Sequence, residues 1–395
     1  MNREPGNPIS HTILCISHLE WTERLFQRPQ QVMLRLSRRY KVTYFSRRYF
    51  KQWIGLASRF NFKELRSFHV NENLFVWNLL MPLPTLNRAL NMFSDFNRWW
   101  AIYNIKKIAG KPSQNRFVLW CYYPVDMELL DVLNPSLIIY DCMDNYISLS
   151  NGNESNIRYL KRTEPYLLER ADIIFYGSKF LMDSRKEYAY KSYHLPTGVD
   201  FELFSGSMNG DLPLPHDMEG IRKPILGYWG AIDQRIDYKL LYECAIRHPD
   251  WSIVLLGPMV EIKKKDIDYF LEFPNVHWLG PKPYQLLARY AKAFDVCLLP
   301  FKESDEGKYL NPTKTLEYLA TGRPVVSTKI PDIETFFSDT VDMAIGEDEF
   351  VKSVEKRMMI DDERAKDRRL AKAKDYSWGK MVSRMDEIVM SRIKE

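Results

Sequence analysis

The sequence predicts an α/β protein made of two doubly wound, parallel-sheet domains. Short apolar, β-branched runs such as Thr12–Ser17 recur along the chain, each separated from the next by a helix-length segment. This spacing is typical of βα units around a parallel sheet. The series stops at 199–224, which is rich in Gly, Pro, Asp and Met, and a second series begins at Ile225. The length of 395 residues fits two domains of about 100–200 residues each.

The first series contains seven predicted strands. They lie at residues 12–17, 41–46, 74–77, 117–121, 137–140, 173–177 and 192–195. Most of these runs are short and apolar, as expected for strands that are buried on both faces of a sheet. A helix is predicted through 31–39, and Arg28-Pro29-Gln30 lies where it would open, because proline suits a first helical turn.

The second series contains six predicted strands with helices between them. The strands lie at 225–229, 252–256, 276–279, 296–300, 325–328 and 343–345. From Glu347 onward the chain is highly charged and helical in pattern. We therefore predict a first domain at 1–200, a linker at 201–224, a second domain at 225–376 and a final helix at 377–395.

The composition favours a globular protein that is soluble or bound to a membrane surface. Hydrophobic residues make up 45% of the chain, and the net charge of +5 is small for a dedicated nucleic-acid binder. The first ten residues lack a signal-peptide pattern, and no apolar run approaches the roughly 20 residues that span a bilayer. The five cysteines show no metal-ligand spacing, so reduced thiols and a cytoplasmic location are expected.

The segment 311–326 (NPTKTLEYLATGRPVV) carries the strongest functional signal. It predicts a helix over 312–321, with an N-capping asparagine, a first-turn proline, and glycine and proline after its end. Lys314 in the first turn opposes the helix dipole unless an anion binds there. Glu317 lies one turn further on and could accept hydrogen bonds from a ribose diol, so the two residues indicate a nucleotide site. The alternative is a solvated Lys–Glu pair on a surface helix.

Six segments along the chain carry a combination of residues that is known from one enzyme family. They are Trp21…Arg28-Pro29-Gln30, Tyr140-Asp141-Cys142-Met143-Asp144, Ala171-Asp172-Ile173-Ile174…Gly177-Ser178…Leu181, Leu195-Pro196-Thr197-Gly198-Val199-Asp200…Phe204, Asn275-Val276…Leu279-Gly280 and Pro312…Lys314…Glu317-Tyr318…Ala320…Gly322…Pro324-Val325-Val326. Together they resemble the GT-B-fold, nucleotide-sugar-dependent glycosyltransferases. The likeness covers nearly the whole chain. It narrows to the teichuronic-acid-type bacterial enzymes, with a more distant likeness to the xanthan glucuronosyltransferase.

The resemblance implies two Rossmann-like domains that face a central cleft. The second domain would bind a nucleoside diphosphate sugar, expected here to be UDP-linked. Lys314 and the helix N-terminus at Thr313 would hold the donor diphosphate, and Glu317 would hold the nucleotide ribose. No metal ion or other cofactor is expected, because no Asp-x-Asp triplet ends a predicted strand. In this family, lysine, arginine and a helix dipole would stabilise the leaving group instead.

Three further residues extend the predicted donor site. Gly230 ends a predicted strand and would permit close approach of the backbone to a ligand, although a tight turn is an equally good interpretation. Arg235 follows on the same loop and could bind a phosphate, or it is a surface arginine. Tyr309 is expected to contact the sugar or the base. It stands where many retaining relatives have the first of two glutamates, so the stereochemical outcome stays open.

The catalytic and acceptor-binding residues are expected after strands of the first domain. Asp144 lies just past the fifth predicted strand, where a carboxylate could deprotonate the acceptor hydroxyl. Capping the loop and binding the acceptor are the alternatives. His18 follows the first strand and is a second candidate for the base, for an acceptor contact or for a residue that supports Asp144. Asp141 is a candidate acceptor-binding residue that could instead orient the loop, and Arg24 and Arg28 are candidates for contact with an acceptor phosphate.

Two stretches of the first domain, 47–63 and 88–107, combine basic and aromatic residues. Such segments suit a membrane interface with anionic headgroups, which would agree with a lipid-linked acceptor and a peripheral location on the inner face of the plasma membrane. Nucleic-acid stacking is a rival interpretation, but no nucleic-acid-binding motif accompanies the two stretches. A helix that is packed by its aromatic side chains is a third possibility.

The sequence therefore predicts metal-independent transfer of a hexose or uronic acid. The donor would be a nucleoside diphosphate sugar, and the acceptor a hydroxyl group of a lipid-linked or growing surface polysaccharide. Two alternatives remain open at this point. One is a sugar-nucleotide epimerase on the same fold, and the other is a non-catalytic protein that binds a nucleotide sugar.

Overall fold

The computed structural model describes most of the chain. The described residues are 11–21, 26–48, 67–80, 91–109, 117–150, 152–209, 213–260, 262, 267–302, 313–360 and 362–393. They form two compact units. The first lies within Met1–Gly177, Leu181–Leu195 and Val382–Glu395, and the second within Ser178–Phe180 and Pro196–Met381.

The first unit is built on an eight-stranded sheet. Its strands are β1 (Thr12–Ser17), β2 (Lys41–Arg48), β3 (Phe68–Asn71), β4 (Leu74–Leu80), β5 (Phe117–Cys121), β6 (Leu137–Cys142), β7 (Ile173–Tyr176) and β8 (Ser192–His194). Their order is β3-β4-β2-β1-β5-β6-β7-β8. All neighbours pair in parallel except β3 with β4. The central strands β5, β6 and β7 are buried along their whole length, which explains why their sequences are continuous apolar runs.

Helices connect these strands. They are α1 (Arg28–Leu36), α2 (Asn91–Ala109), α3 (Met127–Leu133), α4 (Glu154–Arg170) and α5 (Lys179–Asp183). The start of α4 shows how the local sequence sets a boundary, because the side chain of Asn153 accepts a hydrogen bond from the backbone N–H of Asn156 at 3.2 Å. Leu160 and Leu167, seven residues apart on the same helix, are both fully buried.

The second unit is built on a six-stranded sheet in which every neighbouring pair is parallel. Its strands are β9 (Ile225–Trp229), β10 (Ser252–Leu256), β11 (Val276–Trp278), β12 (Val296–Leu299), β13 (Val325–Thr328) and β14 (Asp342–Ala344), in the order β11-β10-β9-β12-β13-β14. Its helices are α6 (Phe201–Asn209), α7 (Tyr238–Arg247), α8 (Asp268–Leu271), α9 (Tyr284–Ala291), α10 (Thr313–Ala320), α11 (Pro331–Phe337), α12 (Gly346–Met359) and α13 (Glu363–Asp375). The last helix, α14 (Trp378–Ile393), begins in the second unit, and its residues from Val382 onward belong to the first.

The predicted strands all correspond to observed strands, with ends that differ by up to three residues. The sequence analysis missed β3, an exposed strand at the edge of the first sheet that pairs antiparallel with β4. An exposed edge strand needs no apolar run, so this segment carries no signal. The strand β6 extends to Cys142, which places Asp141 inside the sheet and not on the following loop.

The stretch 201–224 was predicted to be a linker, and this is wrong for its first part. Residues 201–209 form α6, and Phe204 is completely buried with its ring stacked on Trp229 at a centroid distance of 5.8 Å. The apolar residues Phe201, Phe204 and Met208 recur at helical spacing. Phe204 lies in the core of the second unit, and Phe201 and Met208 are partly buried against it. Glycine and serine within the same stretch have low helix propensity and concealed this pattern.

The predicted membrane-contacting stretch 47–63 lies outside the described residues beyond Arg48. The stretch 88–107 lies mostly in α2, which begins at Asn91. Within the described part of the chain, no helix combines the length and the apolar character required to cross a bilayer.

Candidate functional site

Each sheet has one position where the strand order reverses. In the first sheet it lies between β1 and β5, and in the second between β9 and β12. In open parallel sheets, ligands bind beyond the carboxyl ends of the strands at this position, because adjacent loops leave in opposite directions there. The residues directly after these strands are therefore the candidates for contact with a ligand.

In the second unit, Lys314 lies in the first turn of α10 and reaches the end of β9. Gly230 follows β9 directly, with φ at +145°, and a Cβ atom at this position would lie only 2.0 Å from Cε of Lys314. The missing side chain at Gly230 therefore lets the stem of Lys314 lie across the backbone. Among the residues that the structure describes, the Lys314 ammonium has no hydrogen bond and no ion pair. Burial lowers the pKa of Lys314 from 10.5, and the charge of Arg235 lowers it further while that of Glu317 opposes the shift.

Arg235 supplies a second positive charge close to Lys314. Its guanidinium is held by Asp233, with Nη2 to Oδ2 at 2.6 Å and Nε to Oδ1 at 3.0 Å. The backbone N–H of Arg235 also donates to Oδ1 of Asp233, at 2.9 Å. The guanidinium is therefore fixed in place while its charge stays next to Lys314.

The loop that carries Arg235 is fastened to the chain that follows β12. The Lys302 N–H donates to the carbonyl of Arg235 at 2.8 Å, and the Asp237 N–H donates to the carbonyl of Pro300 at 2.7 Å. These two bonds hold the loop against the strand end. Lys314, Arg235 and the first turn of α10 lie close together and could bind an anion, while the Asp233 carboxylate offsets part of their positive charge.

Glu317 lies one turn further along α10 and is 7% exposed. Its Oε2 accepts a hydrogen bond from the indole Nε1 of Trp229 at 2.7 Å, and the side chain of Tyr284 also hydrogen-bonds to it. Burial raises the pKa of Glu317, while the hydrogen bond from Trp229 and the charge of Lys314 act in the opposite direction. The alternative of a solvated surface pair is therefore wrong, because the Glu317 carboxylate is held inside the protein.

In the first unit, three aromatic rings meet at the carboxyl edge of the sheet. His18 follows β1, Tyr123 follows β5 and Tyr146 lies on the loop after β6. The His18 ring lies 5.2 Å from Tyr123 and 5.3 Å from Tyr146, and the two tyrosine rings are 4.9 Å apart. Although His18 is solvent-exposed, the protein around it desolvates the imidazole and lowers the pKa of His18 to about 4. The imidazole is therefore neutral near pH 7.

Asp144 lies two residues beyond the end of β6 and is partly exposed. Its backbone carbonyl accepts a contact from the thiol of Cys142 at 3.7 Å. The pKa of Tyr146 is raised by burial and, in second place, by the negative charge of Asp144, so the Asp144 carboxylate lies near the aromatic cluster. The two predicted base candidates, Asp144 and His18, are thus brought to the same edge of the first sheet.

Arg28 and Asp141 were predicted to bind the acceptor, and their positions contradict this. Their side chains are completely buried and pair with each other, with Nη2 of Arg28 2.9 Å from Oδ1 of Asp141. Arg28 also donates from Nη1 to the carbonyl of Leu195 at 2.7 Å, and Trp120 donates to Asp141 at 3.4 Å. Asp141 is inside the sheet because β6 continues past it, so this pair ties α1 to the sheet and presents no charge to a ligand.

Of the remaining predicted site residues, the structure describes one and leaves two outside the described ranges. Thr313 is the first residue of α10, as expected for a helix N-terminus at the donor site. Tyr309 and Arg24 lie outside the described residues, so their roles stay predictions. Over the described ranges, no three His, Cys, Asp or Glu side chains gather in a way that could hold a metal ion.

Sequence reasoning missed the residues that support the candidates. No functional role was predicted for Trp229, Tyr284, Tyr123 or Tyr146. Tyr123 and Trp229 lie at or next to a strand end, which is the one signal that could have indicated them. Tyr284 is the first residue of α9 and lies 33 positions before Glu317 in the chain. Only folding brings the two side chains together.

Comparison with known proteins identifies the enzyme class. Residues 223–358, which include all of the second-unit candidates described above, match the family described as glycosyl transferases group 1. The chain is 28% identical over 297 residues to TuaH of Bacillus subtilis (strain 168), provisionally assigned as a teichuronic acid biosynthesis glycosyltransferase. That match covers 71% of this chain and 72% of TuaH. The protein is a glycosyltransferase of the GT-B fold.

Solved structures support the fold of this GT-B glycosyltransferase. Sucrose-phosphate synthase from Thermosynechococcus elongatus superimposes with a TM-score of 0.69 at 14% identity, over 97% of this chain and 99% of that chain. Anabaena HepE in complex with UDP and glucose superimposes with a TM-score of 0.64 at 12% identity, over 96% of this chain and 100% of that chain. The expected fold class and enzyme class are confirmed, and the epimerase and non-catalytic alternatives are not favoured.

Proposed function

We propose that this glycosyltransferase moves a sugar from a UDP-sugar to a hydroxyl group of a growing surface polysaccharide or of its lipid-linked precursor, without a metal ion. The single observation that carries the donor assignment is the Lys314 ammonium. It lies across Gly230 at the end of β9, at the N-terminus of α10, and makes no hydrogen bond or ion pair with the described residues. A desolvated cation of this kind gains most from binding an anion, and a nucleoside diphosphate supplies one.

The second-unit candidates suit the parts of a nucleoside diphosphate sugar. Lys314, Arg235 and the first turn of α10 would bind the diphosphate. Glu317 would accept a hydrogen bond from a ribose hydroxyl, while its Oε2 accepts the hydrogen bond from Trp229. UDP is the proposed nucleotide because a structure of the same fold, Anabaena HepE, is a complex with UDP. Two cations near the diphosphate would stabilise the charge that develops on the leaving group, and the proposal of metal independence rests on this arrangement.

The first-unit candidates suit activation of an acceptor hydroxyl. Asp144 and His18 lie at the edge of the sheet where ligands bind, and either side chain could take the hydroxyl proton. The low pKa of His18, about 4, keeps its imidazole unprotonated at neutral pH. A polysaccharide acceptor is proposed from the likeness to TuaH, whose name refers to teichuronic acid biosynthesis.

A membrane-bound location is proposed from the exposed face of α2. Phe96, Trp99 and Tyr103 recur at helical spacing and are 42%, 55% and 50% exposed. Trp99 lies 5.6 Å from both of its neighbours, so the three rings form one continuous aromatic surface. Exposed aromatic rings of this kind partition into the interface of a bilayer, and the exposed Lys107 on the same helix would favour anionic lipids. Loss of co-flotation with anionic vesicles in Trp99→Ser would support this location, and equal flotation of both proteins would contradict it.

The donor proposal is tested by thermal unfolding with UDP, GDP, CMP, ADP and dTDP, each with and without EDTA. UDP at about 100 times its dissociation constant should stabilise the wild type by about 2.7 kcal/mol, and EDTA should leave this unchanged. Lys314→Ala should lose the response. Lys352→Ala, which removes an exposed lysine from α12, is the matched control and should keep it. No response of the wild type to any nucleotide would contradict the donor site.

A further inference from the structure

The aromatic cluster of His18, Tyr123 and Tyr146 joins three separate loops of the first unit. These loops follow β1, β5 and β6, which are adjacent in the sheet. All three pairs of rings are in contact, at centroid distances between 4.9 and 5.3 Å. Tyr146 meets His18 edge-on, at an interplanar angle of 77°, which is a preferred arrangement of aromatic rings. The imidazole is therefore flanked by two rings that come from elsewhere in the sequence.

Both tyrosines are themselves fixed. The hydroxyl of Tyr146 donates to the carbonyl of Tyr122 at 2.6 Å, and the ring is only 5% exposed. The hydroxyl of Tyr123 donates to Oδ1 of Asn156 at 2.9 Å. Asn156 in turn donates to the hydroxyl of Ser150, which is bound to the carbonyl of Tyr146. Each ring is thus anchored by its polar end, and the apolar faces and edges are left to contact His18.

The described titratable residues whose rings contact His18 are Tyr123 and Tyr146, and their hydroxyls are bound to Asn156 and to the carbonyl of Tyr122. The described carboxylates on the loops that carry the cluster are Glu20, Asp126 and Asp144. Desolvation of the imidazole by the surrounding protein is the cause of the lowered pKa of His18, although the residue is partly open to solvent. The tyrosine rings supply apolar surface next to the imidazole, and apolar surroundings disfavour its charged form.

We propose that Tyr123 and Tyr146 are positioning residues that hold the His18 ring at the edge of the sheet and keep it uncharged. This inference rests on the proposed role of His18 in the transfer reaction. It assigns the two tyrosines no contact with the reacting atoms. Their effect is exerted through the orientation and the protonation state of the imidazole.

The test is titration of the histidine ring protons by NMR in the full-length protein. Loss of one resonance in His18→Gln assigns the signal of His18 among the seven histidines. In the wild type, this signal should titrate near pH 4. Tyr123→Ala opens the cluster to water and should move the midpoint upward, toward 6.5. Tyr123→Phe keeps the ring and loses only the hydroxyl, so it is the matched control and should titrate as the wild type does.

A midpoint near 6.5 in the wild type, or an unchanged midpoint in Tyr123→Ala, would overturn the inference. Tyr146→Phe provides a second variant, because it keeps a buried ring and removes the bond to Tyr122. This variant should leave the midpoint of the His18 titration low. It should also let the His18 ring adopt more orientations, which would be detected as loss of its ring contacts to residue 146. The proposed function is tested separately by kcat/KM. Full transfer activity in His18→Gln would contradict the role of His18, whereas the titration alone decides what the tyrosines do.

Where activity is measured, the acid limb of the pH profile of kcat/KM gives an independent check. His18 must be unprotonated to accept a proton, so activity falls as the pH drops through its pKa. The midpoint of this acid limb should lie at a higher pH in Tyr123→Ala than in the wild type. In Tyr123→Phe it should lie at the same pH as in the wild type. A destabilised protein with an intact cluster would lose activity at every pH without moving the limb, and that result would also contradict the proposal.

Discussion

The indole N–H of Trp229 donates a hydrogen bond of 2.7 Å to Oε2 of Glu317 in the interior of the second unit. Trp229 is the last residue of β9 and Glu317 lies in the middle of α10, so the bond connects the two elements that form the candidate donor site. The rings of Trp229 and Tyr318 also meet edge-on at 4.2 Å, and the backbone N–H of Trp229 donates to the Tyr318 hydroxyl at 3.0 Å. The orientation of α10 is therefore fixed by the end of β9.

Trp229→Phe should weaken UDP binding because it removes the N–H that orients Glu317. Hydrogen bonds to charged groups contribute about 1.5–3 kcal/mol, so the dissociation constant should rise by roughly 10- to 100-fold. Isothermal titration calorimetry measures the change. Trp251→Phe is the matched control, since Trp251 is also buried in the second unit but stacks on His248. Equal affinities of the wild type and Trp229→Phe would show that Glu317 does not depend on this bond.

Gly230→Ala should impair nucleotide binding. Its Cβ would lie 2.0 Å from Cε of Lys314, and the φ of +145° strains any side chain. Lys314 must move, so the response of Tm to UDP should be largely lost. Gly206→Ala, in the exposed part of α6 with no atom within 4 Å of its Cβ, should keep the response and raise stability by about 0.5–1 kcal/mol. A full UDP response in Gly230→Ala would contradict the placement of Lys314.

UDP affinity should fall as the pH rises into the alkaline range. Burial lowers the pKa of Lys314 in the empty protein, and a bound diphosphate would raise it. Binding is then strongest below the pKa of the empty protein, is coupled to proton uptake between the two values, and weakens as the pH rises further. Calorimetry in buffers of different ionisation enthalpy measures the proton uptake. Lys314→Arg should abolish it, because arginine remains charged over this range.

Arg28→Ala should destabilise the first unit and leave UDP affinity unchanged. Removing one partner of a buried ion pair leaves an uncompensated charge and typically costs about 3–5 kcal/mol. The double variant Arg28→Met, Asp141→Leu should be more stable than Arg28→Ala, since no buried charge remains. Thermal and urea unfolding measure both, and Lys366→Ala, which breaks the exposed pair with Glu363, is a control that should change little. A variant of normal stability with weaker acceptor binding would restore the predicted role of Arg28.

The fold and one half of the candidate site could be predicted from the sequence. Continuous apolar runs identified the buried strands, since a strand covered on both faces has no polar positions. Lys314 and Glu317 could be singled out because they lie in one helix, where three-residue spacing determines that they are neighbours. Asp141 could not be assigned correctly, because the end of β6 depends on pairing with β7, which no local pattern shows.

The sequence alone therefore determined the features that depend on local periodicity. These are the βα order, the helix that carries Lys314 and the strand ends where the candidate residues lie. Tertiary structure alone decided which residues meet. It brought Arg28 onto Asp141 across 113 positions of the chain and Trp229 onto Glu317 across 88, and it assembled His18, Tyr123 and Tyr146 from three loops. Such contacts are set by the order and register of the strands, and a side chain acquires its partner and its pKa only when the sheet has formed.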